Sequence, residues 1–369
     1  MSKLGDYVSI KASKKELHGE KFWLLNLDMV EQQTGQVLDY LYVPAAELNG
    51  SIVQFDTDCV LYSKLRPNLN KVVLPQTDGY ATSEMLPLRP NTAVLSREYL
   101  AEYLRSDNFV NWAVSKTAGA KMPRLGTKEL LSKDITLPPM EEQTKIVALF
   151  QEIARLITLN KQQLIELDNL VKSRFIELFG DPVLNQKGFP CYTVNDIIDF
   201  QGGSQPDKKY FEYTPSESNI RLIQIRDYKT DKYITYIPKA MAKRFCTADD
   251  IMIGRYGPPI FQILKGIEGS FNVALMKATP KKGNKEFIRH FLKQDCLLHY
   301  LEGLSQRTAG QDGIQMDKLK AYPFPYPPME LQNEFAAFVE HTDKLKLAVT
   351  EALAELETLK KSLMQQYFG

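Results

Sequence analysis

The C-terminal part of the chain carries a regular pattern of apolar positions. They recur at alternating intervals of three and four residues and include one threonine: Phe335, Phe338, Thr342, Leu345, Val349, Ala352, Leu356, Leu359 and Leu363. This spacing is typical of a long amphipathic α-helix with a seam of heptad a and d positions. Because the pattern lasts for about four heptads, the predicted helix is much longer than the ~11 residues of an average helix.

A similar segment lies earlier in the chain. Residues 137–180 align without a gap with residues 326–369, and 15 of the 44 aligned pairs are identical. Each copy contains Pro-Pro-Met-Glu, then a glutamine two positions later, and ends in Phe-Gly. Because proline cannot lie inside a helix, each helix is predicted to begin directly after its Pro-Pro pair. The seam positions of the first copy are Ile146, Leu149, Ile153, Leu156, Asn160, Gln163, Leu167, Leu170 and Arg174.

The two seams are predicted to pack against each other. A two-fold-like arrangement of the repeats places the two helices antiparallel, as an intramolecular coiled coil in which Asn160 and Gln163 set the register. The first helix also carries a second apolar stripe beside its seam, which consists of Phe150, Ile157, Leu164, Val171 and Leu178. An apolar strip outside a two-helix seam indicates a surface for a partner, so this stripe is predicted to bind another protein.

Each helix follows a globular region that mixes short β-rich runs with turns and a late helix. Residues 60–62 and 251–253 are predicted strands, and residues 99–106 and 285–304 are predicted helices. The fold class is therefore α+β, with two globular α/β domains in a pseudo-two-fold repeat, separated by a long antiparallel two-helix coiled coil. The predicted segments are residues 1–139 and 181–327 for the domains, and 140–180 and 328–369 for the helices.

Length, charge and cysteine content indicate the number of domains and the cellular compartment of the protein. A chain of 369 residues favours at least two domains. The net charge is +1, and no apolar run approaches the ~18 residues that span a membrane. The cysteines are Cys59, Cys191, Cys246 and Cys296, without a Cys-x-x-Cys pair. Such scattered cysteines are typical of reduced thiols, so we expect a cytoplasmic protein with no membrane segment.

Three further segments carry recognisable patterns. They are residues 64–71 (Lys-Leu-Arg-Pro-Asn-Leu-Asn-Lys), 203–206 (Gly-Ser-Gln-Pro) and 223–227 (Ile-Gln-Ile-Arg-Asp). Together with the repeated helices, which begin with Pro-Pro-Met-Glu-x-Gln and end in Lys-Ser-x-x-x-x-x-Phe-Gly, they resemble the specificity (S) subunit of type I restriction–modification systems. In organisation the resemblance covers the whole chain.

The resemblance implies a non-catalytic, DNA-binding subunit that needs no cofactor of its own. Each globular region would be a target recognition domain that reads one half of a bipartite, asymmetric site in double-stranded DNA. The coiled coil would set the gap and dock two copies of an adenine methyltransferase (M) subunit, and a nuclease–translocase (R) subunit would join for restriction. The sequence contains no Walker loop and no Gly-x-Gly-x-x-Gly, so methyl transfer and ATP use are assigned to the partner chains.

Candidate DNA contacts follow from side-chain chemistry. Arg, Lys, Asn and Gln read base edges, whereas Lys, Arg, Ser and Thr hold phosphates. The candidates lie in glycine- or proline-marked loops: Lys64, Arg66, Asn68, Asn70, Lys71, Lys116, Lys121, Arg124, Ser204, Gln205, Lys208, Lys209, Tyr210, Arg226, Arg255, Tyr256, Arg307, Thr308 and Gln311. For each one the alternative is a solvated surface residue.

Two other functions are compatible with parts of the sequence. Asp207, Asp227 and Lys229 imitate the Pro-Asp…Asp-x-Lys pattern of metal-dependent nucleases, although such short patterns often arise by chance. The chain would alternatively be a coiled-coil spacer between two protein-binding domains. His290, Cys296 and His299 have no fourth ligand at a suitable spacing, so no zinc site or other metal site is predicted.

Overall fold

The computed structural model describes residues 2–119, 121–256, 259–305 and 313–369. The chain forms two compact units. Unit 1 combines Met1–Gln163 with Val349–Gly369, and unit 2 is Leu164–Ala348. Each unit therefore contains one globular region and one half of each long helix.

Unit 1 begins with a short strand–helix–strand element and contains two four-stranded sheets and one two-stranded sheet. Its strands are β1 (Ser2–Lys3), β2 (Val8–Ile10), β3 (Lys21–Leu25), β4 (Leu41–Pro44), β5 (Ile52–Phe55), β6 (Val60–Ser63), β7 (Val72–Val73), β8 (Gly79–Thr82), β9 (Met85–Pro90) and β10 (Asp134–Ile135). Its helices are α1 (Leu4–Tyr7), α2 (Arg97–Arg105), α3 (Asp107–Ser115), α4 (Thr127–Ser132) and the first part of α5 (Met140–Phe179).

Unit 2 repeats this order of elements. Its strands are β11 (Cys191–Thr193), β12 (Ile198–Gly202), β13 (Asn219–Ile223), β14 (Tyr236–Pro238), β15 (Phe245–Cys246), β16 (Ile251–Gly254), β17 (Gln262–Lys265), β18 (Gly269–Phe271), β19 (Leu275–Pro280) and β20 (Pro323–Pro325). Its helices are α6 (Val194–Ile197), α7 (Lys285–Leu292), α8 (Asp295–Ser305), α9 (Met316–Ala321) and the first part of α10 (Met329–Phe368).

The sheets of the two units are connected in the same way. In unit 1 the strand orders are β2-β9-β6-β7, β4-β3-β8-β5 and β1-β10, and in unit 2 they are β12-β19-β16-β17, β14-β13-β18-β15 and β11-β20. Every strand of unit 1 thus corresponds to the strand of unit 2 whose number is ten higher. In each unit one pair is parallel, β3 with β8 and β13 with β18, and the other described pairs are antiparallel. The prediction of two mixed, sheet-rich domains is confirmed.

The long helices begin and end where the sequence predicts. Helix α5 starts at Met140 and α10 starts at Met329, directly after their Pro-Pro pairs. Helix α5 ends at Gly180, whose φ of +73° is a left-handed conformation that glycine adopts without strain. The Gly180 N–H donates to the Ile176 carbonyl at 2.7 Å and satisfies one of the last helical carbonyls.

The predicted seam is half correct. The a positions face inward, but the predicted d positions Leu149, Leu170, Leu345 and Leu359 are 36–49% exposed. The residue after each d position is buried or half-buried instead, and in α5 these residues are the stripe that we predicted to be a partner surface: Phe150, Ile157, Leu164, Val171 and Leu178. The shift has a physical reason. Each half-helix packs against its own globular region as well as against the other helix, so its buried face is wider and is centred elsewhere.

The hydrophobic cores correct the partner-binding prediction for three residues of that stripe. Phe150 is 2% exposed in the main core of unit 1, and Val171 is 3% exposed in the main core of unit 2, against which Leu178 also packs. These three side chains stabilise their own units and are not free to bind a partner. In the described residues, no helix is long and apolar enough to cross a membrane.

Candidate nucleic-acid interface

The predicted DNA-binding residues Lys64 and Arg255 occupy equivalent positions in the two units. In unit 1, Ser63 is paired with Met85 at the end of β6, and Lys64 follows. In unit 2, Gly254 is paired with Leu275 at the end of β16, and Arg255 follows. The Lys64 N–H donates to the Glu84 carbonyl at 3.0 Å, and the Arg255 N–H donates to the Ala274 carbonyl at 2.9 Å. The same backbone frame thus presents one cationic side chain in each unit.

Two predicted segments of unit 1 are joined by backbone hydrogen bonds. The Arg66 N–H donates to the Pro123 carbonyl at 2.8 Å, and the Leu125 N–H donates to the Lys64 carbonyl at 2.9 Å. Arg66 itself has a φ of +50°, a strained backbone for an arginine, and caps the 3₁₀ turn Pro67–Leu69. The loop that follows β6 is therefore built as one surface with residues 123–125.

This surface of unit 1 is cationic and exposed. Arg66, Asn68, Lys116 and Lys121 are exposed, and Lys64 is half-buried. The exposed Arg124 donates from Nε to both carboxylate oxygens of Glu84, at 3.1 and 3.2 Å. Arg124 is thereby held in one orientation, and the four other exposed side chains of this surface are available to phosphates or bases.

Asn70 and Lys71, two of the predicted DNA contacts, make hydrogen bonds within unit 1. Asn70 is 6% exposed and donates from Nδ2 to the Arg105 carbonyl at 2.9 Å. Lys71 donates from Nζ to the Leu27 carbonyl at 2.6 Å, and burial lowers the pKa of its ammonium group. Both side chains are held against unit 1 by these bonds, which disfavours their contact with DNA.

In unit 2 the Gly-Ser-Gln-Pro segment runs beside the end of β18. The Gly203 N–H donates to the Leu275 carbonyl and the Ser204 N–H donates to the Phe271 carbonyl, both at 3.1 Å. A Cβ atom on Gly203 would lie 1.9 Å from the Asn272 carbonyl oxygen, so only glycine fits there. This close approach anchors the start of a loop whose predicted contacts Gln205, Lys208 and Lys209 are exposed, whereas Ser204 and Tyr210 are half-buried.

Arg255 and its neighbour form a cationic–aromatic pair near this loop. Arg255 donates from Nη1 to the Val273 carbonyl at 3.3 Å, and its guanidinium lies 5.2 Å from the centre of the Tyr256 ring. Tyr256 is 44% exposed. An arginine fixed by a carbonyl and stacked on an exposed ring is suited to a base or a phosphate.

Arg226 is also held in place, by side chains outside the predicted set of DNA contacts. Its Nη2 donates to the Thr235 hydroxyl at 3.1 Å, and its guanidinium lies 5.9 Å from the centre of the Tyr233 ring. Tyr233 is 52% exposed and lines a groove of about 470 Å³ with Arg226, Tyr213 and Lys232. The available signal was the density of Tyr and Lys in residues 228–233, which is typical of single-strand or base-stacking surfaces.

The turn that carries Arg226 packs against the end of β16. A Cβ atom on Gly254 would lie 2.9 Å from Ile225 Cδ1. The Arg226 turn, the end of β16 and the start of the glycine-anchored loop therefore share one edge of unit 2. Residues Arg307, Thr308 and Gln311 lie outside the described residues.

The carboxylates of the nuclease-like pattern cap turns. Asp227 is 6% exposed and accepts a hydrogen bond from the Gln224 N–H at 3.3 Å, and burial raises the pKa of its carboxyl group. Its Oδ2 lies 3.6 Å from Nε of Arg221. Asp207 accepts from the Lys209 N–H at 3.3 Å at the start of another 3₁₀ turn. The described residues contain no group of three metal-ligating side chains.

Comparisons with known proteins agree with this arrangement. Residues 49–169 and 187–358 match the family described as the type I restriction modification DNA specificity domain. The chain is 26% identical over 154 residues to the type I restriction enzyme EcoDI specificity subunit of Escherichia coli, which covers 41% of this chain and 34% of that protein. It is 24% identical over 321 residues to the MjaVIII specificity subunit of Methanocaldococcus jannaschii, which covers 78% of this chain and 72% of that protein.

The fold also matches a solved structure. A chain from a study of complex assembly and conformational transition in the type I R-M system aligns over 99% of this chain and 96% of its own length. The TM-score is 0.63 at 19% sequence identity. This likeness concerns the fold, which extends along the whole chain.

Proposed function

The chain belongs to the family of type I restriction modification DNA specificity domains, and from this premise we propose that it is the DNA-recognition subunit of a type I restriction–modification complex. It reads a bipartite, asymmetric site in double-stranded DNA, and partner subunits methylate adenine and cut the DNA. The observation that carries the proposal is the equivalence of Lys64 and Arg255, two cations presented by the same frame in two units of different sequence.

Side chains divide into two groups by how firmly they are held. Arg226 and Arg255 are oriented by hydrogen bonds and by stacking on tyrosines, which favours direct contact with bases. Arg66, Lys116, Lys121, Lys208 and Lys209 are exposed cations suited to phosphates, although Lys209 also pairs with Asp207 at 3.4 Å. Base contacts determine which DNA sequence is preferred, whereas phosphate contacts contribute affinity for any sequence and its dependence on salt.

An exchange of domains tests whether each unit reads its own half-site. Residues 1–139 are replaced by the same region of another family member, and the modified adenines of the host genome are mapped. One half of the site is expected to change while the other half and the gap stay the same. If both halves change, the two units share one reading surface and the proposal of independent readers is wrong.

The long helices are proposed to act as an antiparallel coiled coil that fixes the gap between the half-sites. Contacts within each unit support this. In unit 1 the Phe150 ring lies 5.9 Å from the Phe368 ring. In unit 2 Arg174 pairs with Glu334 and Asp168 pairs with Lys346, both at 2.5 Å, so the residue numbers run in opposite directions.

Shortening both helices tests the coiled coil as a spacer. Deletion of one heptad from each helix removes about 10 Å of helix, which corresponds to roughly three base pairs. The gap is expected to shorten while the base identities of both half-sites remain. The intact spacing should place the half-site centres about one turn of DNA, roughly 34–36 Å, apart. A constant gap with altered half-sites would contradict the role of the helices as spacer.

Two copies of an adenine methyltransferase subunit are proposed to dock on the outer faces of the helices, and a nuclease–translocase subunit joins them. The buried stripe residues Phe150, Val171 and Leu178 are no longer part of this proposal. The exposed apolar residues of α5 take their place: Leu149, Leu159, Ile165, Leu170 and Ile176. Such side chains on the outside of a helix are suited to partner helices.

Two substitutions on α5 separate docking from folding. Leu170→Asp changes a 49% exposed residue and should abolish co-purification with the methyltransferase subunit while the chain stays folded. Ile157→Asp changes a half-buried residue on the inner face and should reduce thermal stability. If Leu170→Asp leaves co-purification intact and Ile157→Asp abolishes it without loss of stability, the original stripe is the docking surface.

A further inference from the structure

Unit 2 contains a cavity of about 490 Å³ that the proposed DNA contacts do not use. Apolar side chains, including Val171 and Phe175 of α5, form one wall, and Arg289, His290 and Lys293 at the end of α7 form the other. A volume between 300 and 1,000 Å³ is typical of small-ligand sites, and charged side chains make up most of the lining of this one. We call it the Arg289 cavity.

Arg289 is an unusual residue to find in such a wall. It is 2% exposed, although arginine is almost never buried without full pairing. Its Nε donates to Glu286 at 3.2 Å and its Nη2 donates to the Asp249 carbonyl at 3.0 Å. Its Nη1 is buried and has no partner among the described residues. A buried guanidinium with an unpaired terminal nitrogen is costly, and an oxyanion would satisfy it.

Four of the five acidic side chains that line the cavity are already engaged, and the fifth is the exposed Asp295. Asp168 pairs with Lys346 at 2.5 Å, and Asp343 pairs with Lys265 at 2.9 Å. Asp181 accepts a hydrogen bond from the Val183 N–H at 2.7 Å. In contrast, Lys293 makes no ion pair within the described part of the chain. Among the lining cations, Arg289 therefore keeps one nitrogen without a partner, and Lys293, like Lys172, has no ion pair among the described residues.

Unit 1 has no such arginine at the equivalent place. Helices α2 and α7 are capped by Ser96 and Asn284, so Arg289 corresponds to Ala101, which is fully buried. When the two helices are aligned at their caps, Glu102 corresponds to His290 and Arg105 corresponds to Lys293. In unit 1, Arg105 and Glu102 form an ion pair at 2.9 Å, so the cation of α2 is paired within its own helix.

We propose that the Arg289 cavity binds a small ligand through an oxyanion, either a phosphate or a carboxylate, with Arg289 as the anchor and Lys293 as the second contact. The Phe175 and Val171 wall receives the apolar part of the ligand. The site lies entirely within unit 2, and its occupancy does not depend on whether the chain recognises DNA.

Ligand-induced stabilisation tests the proposal. The full-length chain is melted with inorganic phosphate and, separately, with succinate, each against sodium chloride at equal ionic strength. At least one probe is expected to raise Tm in a concentration-dependent manner, because a ligand that binds only the folded state stabilises it. Phosphate alone, or succinate alone, identifies the class of oxyanion. No shift with either probe overturns the proposal.

Three variants locate the binding. Arg289→Ala installs the residue of unit 1 and should weaken probe binding by about tenfold or more. Lys293→Ala, at an exposed residue, should weaken it by about threefold and covers the case in which Arg289→Ala fails to fold. Lys285→Ala removes a charge from the same helix but outside the cavity, since Lys285 pairs with Asp249, and should leave binding unchanged. Stabilisation that persists in both Arg289→Ala and Lys293→Ala overturns the proposal.

Discussion

Unit 1 and unit 2 share a framework but differ in the side chains it carries. Their strands follow the same order with the same parallel pair, yet the sequence repeat is evident only in the long helices. Equivalent positions hold Lys64 and Arg255 at the proposed interface, and the buried Ala101 of unit 1 corresponds to Arg289, which lines the cavity of unit 2. The comparison teaches that backbone pairing and a few buried polar groups suffice to keep the architecture, while exposed loops are free to acquire a different DNA preference.

The Pro-Pro-Met-Glu-x-Gln repeat is explained by two of these buried polar groups. Gln143 and Gln332 are fully buried at the start of α5 and α10. Each accepts a hydrogen bond from the N–H of the residue that caps the preceding domain helix, at 3.0 Å from Ser96 and at 2.8 Å from Asn284. Each also donates to the carbonyl of the first proline of its pair. The glutamine thus fastens the long helix to its domain.

Replacing these two glutamines is expected to have the largest effect on the stability of the shared framework. Gln143 makes a third bond, to the Val94 carbonyl at 2.8 Å, and no corresponding bond of Gln332 is found in the described part of unit 2. Gln143→Leu is expected to lower the free energy of unfolding of its unit by about 3–5 kcal/mol, and Gln332→Leu by about 2–4 kcal/mol, because buried backbone groups lose their partners. Chemical denaturation with a probe in each unit measures both.

The matched control is Gln163→Leu in the middle of α5. This glutamine is exposed, so its replacement should change the free energy of unfolding by less than about 0.5 kcal/mol. If all three substitutions are equally mild, the glutamines do not fasten the helices and the repeat has another cause.

Much of this framework could be predicted from the sequence because its signals are local. The Pro-Pro pairs and Gly180 marked the ends of the helices, and apolar runs marked β6 and β16. The inner face of the helices could not be predicted correctly, because heptad spacing assumes a single partner. Phe150 is drawn inward by the globular region that packs on the same helix. Likewise the repeat of the two sheets was hidden, since a pattern of pairing does not require identical residues.

The proposed interface was partly predictable for a related reason. The type of side chain identified Lys64, Arg66 and Arg255, because cations in loops are suited to DNA. It could not separate them from Asn70 and Lys71, whose polar groups bond to carbonyls far along the chain. Only the fold distinguishes a loop residue that faces solvent from one that closes the loop.

The second prediction uses acid to distinguish the units. Burial, together with nearby Lys293 and Arg289, lowers the pKa of His290 to about 3. The unfolded histidine binds a proton below about pH 6.5, whereas the folded one stays neutral, so the stability of unit 2 should fall as the pH drops from 6.5 towards 3. By pH 4.5 the expected loss is roughly 3 kcal/mol. Hydrogen exchange of peptides from each unit measures it.

Unit 1 should resist this acid range. Burial alone would raise the pKa of Asp56, but hydrogen bonds from Arg89 and Ser13 lower it on balance, so the carboxylate begins to lose its contribution only below the ordinary value near 3.8. His290→Phe should remove the acid sensitivity of unit 2, whereas His341→Ala, at an exposed histidine, should preserve it. Equal acid sensitivity of the two units would contradict the assignment to His290.

The third prediction asks whether Lys64 and Arg255 are equivalent in function as well as in position. Lys64→Ala and Arg255→Ala should each cost about 1–3 kcal/mol of DNA binding if the side chain contacts a base, with relaxed preference at one position of its own half-site. Binding to a randomised DNA library measures both affinity and preference. If either substitution relaxes the half-site of the other unit, the correspondence between units and half-sites fails.

The smallest expected effect concerns the loop of unit 2 that carries the exposed Lys208. A phosphate contact adds affinity for every DNA sequence through the release of a counterion. Lys208→Ala should therefore weaken binding to specific and unrelated DNA alike, by about 0.5–1 kcal/mol near 0.15 M salt, and reduce the slope of log K against log salt by about one. Lys320→Ala, outside the proposed interface, is the control and should change neither quantity. If Lys208→Ala alters the preferred bases but not the salt slope, Lys208 reads sequence, and the division between firmly held base readers and exposed phosphate contacts is wrong.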